Sequence, residues 1–113
     1  MPRAQRLDGP EVWHHVRIRG VGGKPIFFTD RDRLEFLERL CAILVALDME
    51  LVSWALLPNH VHLVMRSGPR ATLSRAMHRL LTGYARYYND RYGDQGYVFQ
   101  DRFWSRPILD DDY

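Results

Sequence analysis

After a loose start, the hydrophobic positions of this chain fall into a readable rhythm. In VWHHVRIRG (12–20), Trp13, His15, Arg17 and Arg19 share one face of an extended chain, while His14, Val16 and Ile18 share the other. That period of two predicts a strand. VGGKP (21–25) then breaks regular structure with two glycines and a proline. Thr29 opens TDRD, which has the Thr-x-x-acid form of a helix capping box. Beyond it, Leu34, Leu37, Cys41 and Leu44 recur at helical spacing, and Phe36, Leu40, Ile43 and Leu47 widen the stripe. The pattern predicts a helix over about 30–48 with a face broad enough to lie on a sheet. Cys41 is expected in the core of that face, as an inert thiol.

LVSWALL (51–57) reads as a second strand, and Pro58–Asn59 turns it into a third over roughly 60–66. Strands joined so tightly are antiparallel neighbours. SGPR (67–70) ends the pair, and a second long helix is expected from about 72 to 92. Leu73, Met77, Leu80, Tyr84 and Tyr88 form one face of it; Arg75, Arg79, Thr82 and Arg86 form the opposite one. Gly93 is a natural left-handed terminator. YVFQDRFWSRPI (97–108) is extended in character, a fourth strand or clasp, with Phe99 and Phe103 expected in the core. Strand, helix, strand, strand, helix, strand is the ferredoxin-like split βαβ order, an α+β fold with an antiparallel sheet and two helices on one face. The third strand lies at or near the centre of that sheet.

With 113 residues there is room for one domain with a real core, spanning 1–113. A chain 46% hydrophobic and 27% charged is of the globular kind. No apolar run approaches the roughly 20 residues of a bilayer span, the N-terminus has no secretory apolar segment, and a lone cysteine forms no internal disulfide. A cytosolic protein with no membrane partner is expected. Of 16 basic residues only Lys24 is lysine. Arginine grips phosphate with paired donors and stacks on flat rings, although GC-rich coding produces the same bias.

The candidate chemistry lies in LLPNHVHLVM (56–65), where His60 and His62 interrupt an apolar run. Residues two apart on a strand face the same way, roughly 7 Å from each other, so two imidazoles can lean onto one metal ion or phosphate. A bare His-x-His is also common among satisfied core or surface histidines. On an interior strand, an imidazole needs some polar partner. Structural zinc calls for several cysteines, which this chain lacks. Two histidines and a third ligand would instead leave a divalent ion with open positions for a phosphate oxygen. His14 and His15, by contrast, point to opposite faces and make no pair.

Arg75, Arg79 and Arg86 sit on a helix with no acid before Asp90. They form either a solvated face or a set of phosphate contacts, whose binding would be salt-dependent. Arg102 and Arg106 are interleaved with Tyr97, Phe99, Phe103 and Trp104, aromatic residues that could stack unpaired bases or pack the core.

Taken together, "HHVRIRG", "KPIFFTDRDRLEFLERL", the "PNHVHLVM" turn and strand, the arginine-bearing helix and "GYVFQDRFWSR" resemble the HUH single-tyrosine transposases. Among these, the REP-associated tyrosine transposases and other insertion-sequence relatives are the nearest branch. The likeness runs over roughly 12–113, and its most specific piece is Pro58-Asn59-His60-Val61-His62. It implies that His60 and His62 hold Mg²⁺ or Mn²⁺, which polarises a phosphate of single-stranded, hairpin-bearing DNA. A tyrosine oxygen then bonds to phosphorus and the 3′-oxygen leaves as a hydroxyl, giving a 5′-phosphotyrosine link for rejoining. By this likeness Tyr113 lies where the tyrosine-bearing helix would begin, so the nucleophile is expected beyond it and the chain is expected to be C-terminally truncated. Tyr84, Tyr87, Tyr88 and Tyr92 lie on the wrong helix for that role; Tyr87 or Tyr88 could approach the metal, but Tyr84 and Tyr88 are better explained as core. The resemblance places the protein in a bacterial cytoplasm at the nucleoid and leaves monomer and homodimer both open. Two other readings stand beside it: a hairpin-binding remnant that does not cut, and a metal-free interaction domain with buried histidines.

Overall fold

A computed structural model describes residues 12–67, 73–100 and 103–108. The alternating stretch forms β1 (Trp13–Arg19) and the capped segment forms α1 (Asp30–Ala46). The hairpin strands are β2 (Glu50–Leu57) and β3 (His60–Arg66), followed by α2 (Leu73–Tyr92) and β4 (Trp104–Pro107). The four strands make one sheet in the order β2-β3-β1-β4, every neighbouring pair antiparallel. β3 is therefore flanked on both sides, as the ferredoxin-like order requires.

Alternation sorts the sheet into two faces. Val16, Ile18, Val61, Leu63 and Met65 are fully buried on one of them, beneath Phe36, Leu40 and Leu44 of α1 and Leu73, Met77, Leu80 and Tyr84 of α2. Phe27 sits edge-on to both Phe36 and Tyr84, with ring centroids 5.4 and 5.6 Å away, and so joins the two helices to the loop before α1. Among the described residues, no helix lies on the opposite face of the sheet.

Local chemistry explains the boundaries. Thr29 Oγ1 accepts the Asp32 N–H at 3.2 Å, and Asp32 Oδ2 accepts the Thr29 N–H at 3.3 Å, closing the capping box. α1 ends where Asp48, at φ 54°, turns the chain left-handed into β2. Gly93, at φ 63°, does the same after α2.

Two expectations need correction. Cys41 is exposed. The stripe that meets the core runs through Asp32, Phe36, Leu40 and Leu44 at steps of four, and Cys41 lies one residue, about 100°, round the helix from Leu40. Leu34 is 52% exposed for a similar reason. The single extended segment expected over 97–108 is divided. Phe99 makes one bridge to Gly20, and the β4 ladder with β1 covers only 104–107. Phe99 is buried and Phe103 packs partly buried against the core. Outside this, β2 is an edge strand whose register against β3 shifts between Leu51 and Ser53, where Val52 is the extra residue. Val52 and Trp54 remain largely exposed.

Candidate functional site

The β2–β3 turn is held firmly from behind. Ile26 and Phe27 donate their N–H groups to Pro58 O at 2.7 and 3.2 Å, and Gly20 donates to Asn59 O at 3.0 Å. Tyr84 donates its hydroxyl to Ile26 O at 2.6 Å, which ties α2 to the same point. Gly20 is glycine for steric reasons: a Cβ there would lie 2.1 Å from Lys24 O. The turn thus delivers β3 to a fixed position.

His60 and His62 lie on the face opposite α1 and α2, partly exposed. Their neighbours follow from register. Across the sheet, Leu57 and Arg19 flank His60; Ala55 and Arg17 flank His62; and Arg17 is followed by Trp104 on β4. His15 stands opposite Val64, diagonal to His62, with Arg106 beyond it. Such diagonals are within reach of ring side chains. The His15 and His62 rings stack with centroids 5.3 Å apart and planes at 28°. Their nitrogens, His15 Nε2 and His62 Nδ1, are 3.1 Å apart. His60 and His62 stand nearly perpendicular at 5.0 Å. Trp104 meets His15 edge-on at 5.4 Å and receives the Arg17 guanidinium 4.7 Å from its ring centre.

Electrostatics favour a neutral His62. Burial pushes its pKa below the usual histidine value, and the positive neighbours His60, His15, Arg17 and Arg19 push it further in the same direction. Neutral imidazole is the metal-binding form. The ring spacing also fits one ion. With metal–nitrogen bonds of about 2.1 Å, two rings at a right angle around an ion have centroids roughly 4.5–5 Å apart. The donor set is incomplete, however. Among the described residues no three His, Cys, Asp or Glu side chains are grouped to hold an ion. His15 therefore touches a candidate ligand without completing a ligand trio.

The expected DNA-contacting residues separate onto two surfaces. Trp104 and Arg106 are exposed on the histidine face. Arg75, Arg79 and Arg86 are exposed on the outer side of α2, which covers the opposite face of the sheet. Arg102 lies outside the described residues, as does Tyr113. The tyrosines of α2 belong to the helix layer. Tyr84 and Tyr88 are buried, and Tyr87 donates to Asp32 Oδ1 at 2.7 Å.

Sequence reasoning passed over His15, Arg17 and Arg19 as site residues. Their common face was visible in the alternation of β1. Their place beside His60 and His62 depends on the β1–β3 register, which alternation alone does not specify.

The profile of IS200-like transposases matches residues 18–108. No curated protein matches the sequence. Among solved structures, a REP-associated tyrosine transposase bound to a REP hairpin superimposes with a TM-score of 0.74 at 16% identity. The match covers 100% of this chain and 66% of that one. The chain thus spans a little under two-thirds of the length of that relative. A Deinococcus radiodurans protein assigned provisionally as a transposase superimposes with a TM-score of 0.72 at 14% identity, over 99% of this chain and 88% of that one. At such identities the structural likeness establishes the fold.

Proposed function

Because the chain belongs to the IS200-like transposase family, we propose that it is a single DNA-handling domain of a metal-assisted strand transferase. His60 and His62 hold one Mg²⁺ or Mn²⁺ ion, and the substrate is single-stranded or hairpin DNA. The observation that carries this reading is the pair of imidazoles at 5.0 Å on the side of a central strand opposite α1 and α2. A REP hairpin bound to a protein of the same fold supports the choice of substrate.

The residues divide the work by chemistry. His60 and His62 supply nitrogen ligands, and the bound ion supplies Lewis acidity toward a scissile phosphate oxygen. Arg17 and Arg19, one strand over, draw phosphates toward the pair. Trp104, with Arg17 against its ring, offers an unpaired base a flat surface beside the histidines, and Arg106 extends the cationic border. Arg75, Arg79 and Arg86 form a second cationic strip across the molecule, suited to backbone phosphates of the same DNA as it passes round the domain. Tyr87 is not the nucleophile of this scheme: its hydroxyl is committed to Asp32 Oδ1 in the helix layer, across the sheet from the histidines.

Two measurements test the proposal. Mn²⁺ should raise the melting temperature of the chain, since a ligand specific to the folded state stabilises it, and His60→Ala or His62→Ala should abolish the rise. A fluorescent hairpin oligonucleotide with a single-stranded flank should bind with steep salt dependence. Hairpin binding with no response to Mn²⁺ would make the domain a hairpin-binding remnant instead. Neither response would end the reading.

A further inference from the structure

Asn59 sits between the glycine turn and the first candidate ligand. Its Nδ2 donates to Gly23 O at 3.4 Å, and its Oδ1 lies 2.8 Å from His60 Nδ1. With the amide in this orientation, the roles follow from what each group can do. A peptide carbonyl only accepts, so the amide nitrogen faces Gly23. An amide oxygen also only accepts, so His60 Nδ1 must carry the proton and donate it. A neutral imidazole has a single N–H. His60 Nε2 is left with its lone pair.

At the second ring the contact is again made through Nδ1. His62 Nδ1 faces His15 Nε2 at 3.1 Å, and one of the two must donate. If His15 donated, the proton of a neutral His62 would sit on Nε2 and block the nitrogen that is left without a hydrogen-bond partner among the described residues. We propose that His62 is the donor, so that Asn59 and His15 are positioning residues holding His60 and His62 in the same Nδ1–H tautomer, with both Nε2 lone pairs open to one cation. The inference rests on the metal reading of the pair and adds residues that act only through the ligands. Outer partners of this kind fix ring orientation and tautomer at many metal sites. His15 can serve from a neighbouring strand because the β1–β3 register sets it on the diagonal of His62. Asn59 can serve because Gly20 and Gly23 bind its backbone and its side chain at once.

The test begins without metal. Long-range proton–nitrogen NMR on the full chain, well above the histidine pKa range, reads each imidazole tautomer directly. The expected result is Nδ1–H for both His60 and His62; Nε2–H at either one overturns the inference. Mn²⁺ titration of variants follows. Asn59→Ala and His15→Phe should each weaken Mn²⁺ binding about 10–100-fold, the second while keeping an aromatic ring in place. His15→Gln, whose amide oxygen can accept the His62 proton, should recover most of that loss. Wild-type affinity in both Asn59→Ala and His15→Phe overturns the positioning roles and leaves the metal reading standing. A wild-type chain that takes up no Mn²⁺ overturns the metal reading, and this inference with it.

Discussion

The hydroxyl of Tyr87 donates to Asp32 Oδ1 at 2.7 Å, joining the first turn of α1 to the later turns of α2. Tyr92 donates to the other oxygen of the same carboxylate, which also accepts the Phe28 N–H at 2.9 Å. Asp32 is fully buried, so this one side chain serves as helix cap and as interhelical clamp. Arg91, 3.5 Å away, offsets its charge.

Removing that carboxylate should be expensive in stability. Asp32→Ala leaves two backbone N–H groups and two tyrosine hydroxyls without their acceptor, at a loss of about 3 kcal/mol. Urea unfolding measures it. A loss under about 1 kcal/mol would mean that water replaces the carboxylate readily.

The same residue sets an acid limb in the stability profile. Burial alone would raise the Asp32 pKa, but the hydrogen bonds from Tyr92, Phe28, Tyr87 and Thr29 bring it below its ordinary value of 3.8. A carboxyl with a depressed folded pKa adds stability that is complete above the unfolded value and disappears as pH falls through the folded one. Acid unfolding of the wild type should therefore contain a component below about pH 4 that Asp32→Asn lacks. Parallel profiles for the two proteins would contradict this.

His62 should become charged at a lower pH than an ordinary histidine, because burial and then its positive neighbours disfavour the imidazolium. Replacing Arg17 by Gln removes one of those charges, so the His62 titration should move upward. NMR titration of the metal-free chain follows it. A downward move would reverse the assigned sign.

DNA binding should respond differently on the two surfaces. Trp104→Ala removes a stacking surface worth about 1–3 kcal/mol per base, and its effect should appear only with a single-stranded flank. Arg79→Ala should weaken every hairpin alike and reduce the salt slope by about one. The two changes lie across the sheet from each other and should add. Anisotropy titrations at several salt concentrations separate them.

Gly20→Ala should disturb both fold and site. Its Cβ would meet Lys24 O at 2.1 Å, and relief of that clash pulls on the Gly20–Asn59 bond that anchors the histidine turn. Overpacking of this kind costs about 1–3 kcal/mol, and Mn²⁺ affinity should fall as well. Unaltered melting and Mn²⁺ binding would show that the turn tolerates the shift.

Much of the architecture was legible in local patterns. Alternation placed β1 and β3, the TDRD box placed the start of α1, and Pro58–Asn59 fixed the hairpin. Alternation likewise put His60 and His62 on one face. Cys41 was misplaced because a wide helical stripe does not say which of its edges meets the neighbouring layer. His15 was missed for a related reason: it became a neighbour of His62 only through a pairing between strands 47 residues apart. Residue spacing carries face and period, and long-range register carries company.

The bulge at Val52 has a bearing on self-association. Among the described residues β2 is the outermost strand on its side, with Val52 and Trp54 largely exposed, and a straight apolar border of that kind invites a stranger's backbone to zip alongside. One surplus residue kinks the border and puts its outward amides out of step with any regular ladder. Deleting Val52 would straighten the rim, and fibrous or stacked aggregates are the hazard such a deletion brings.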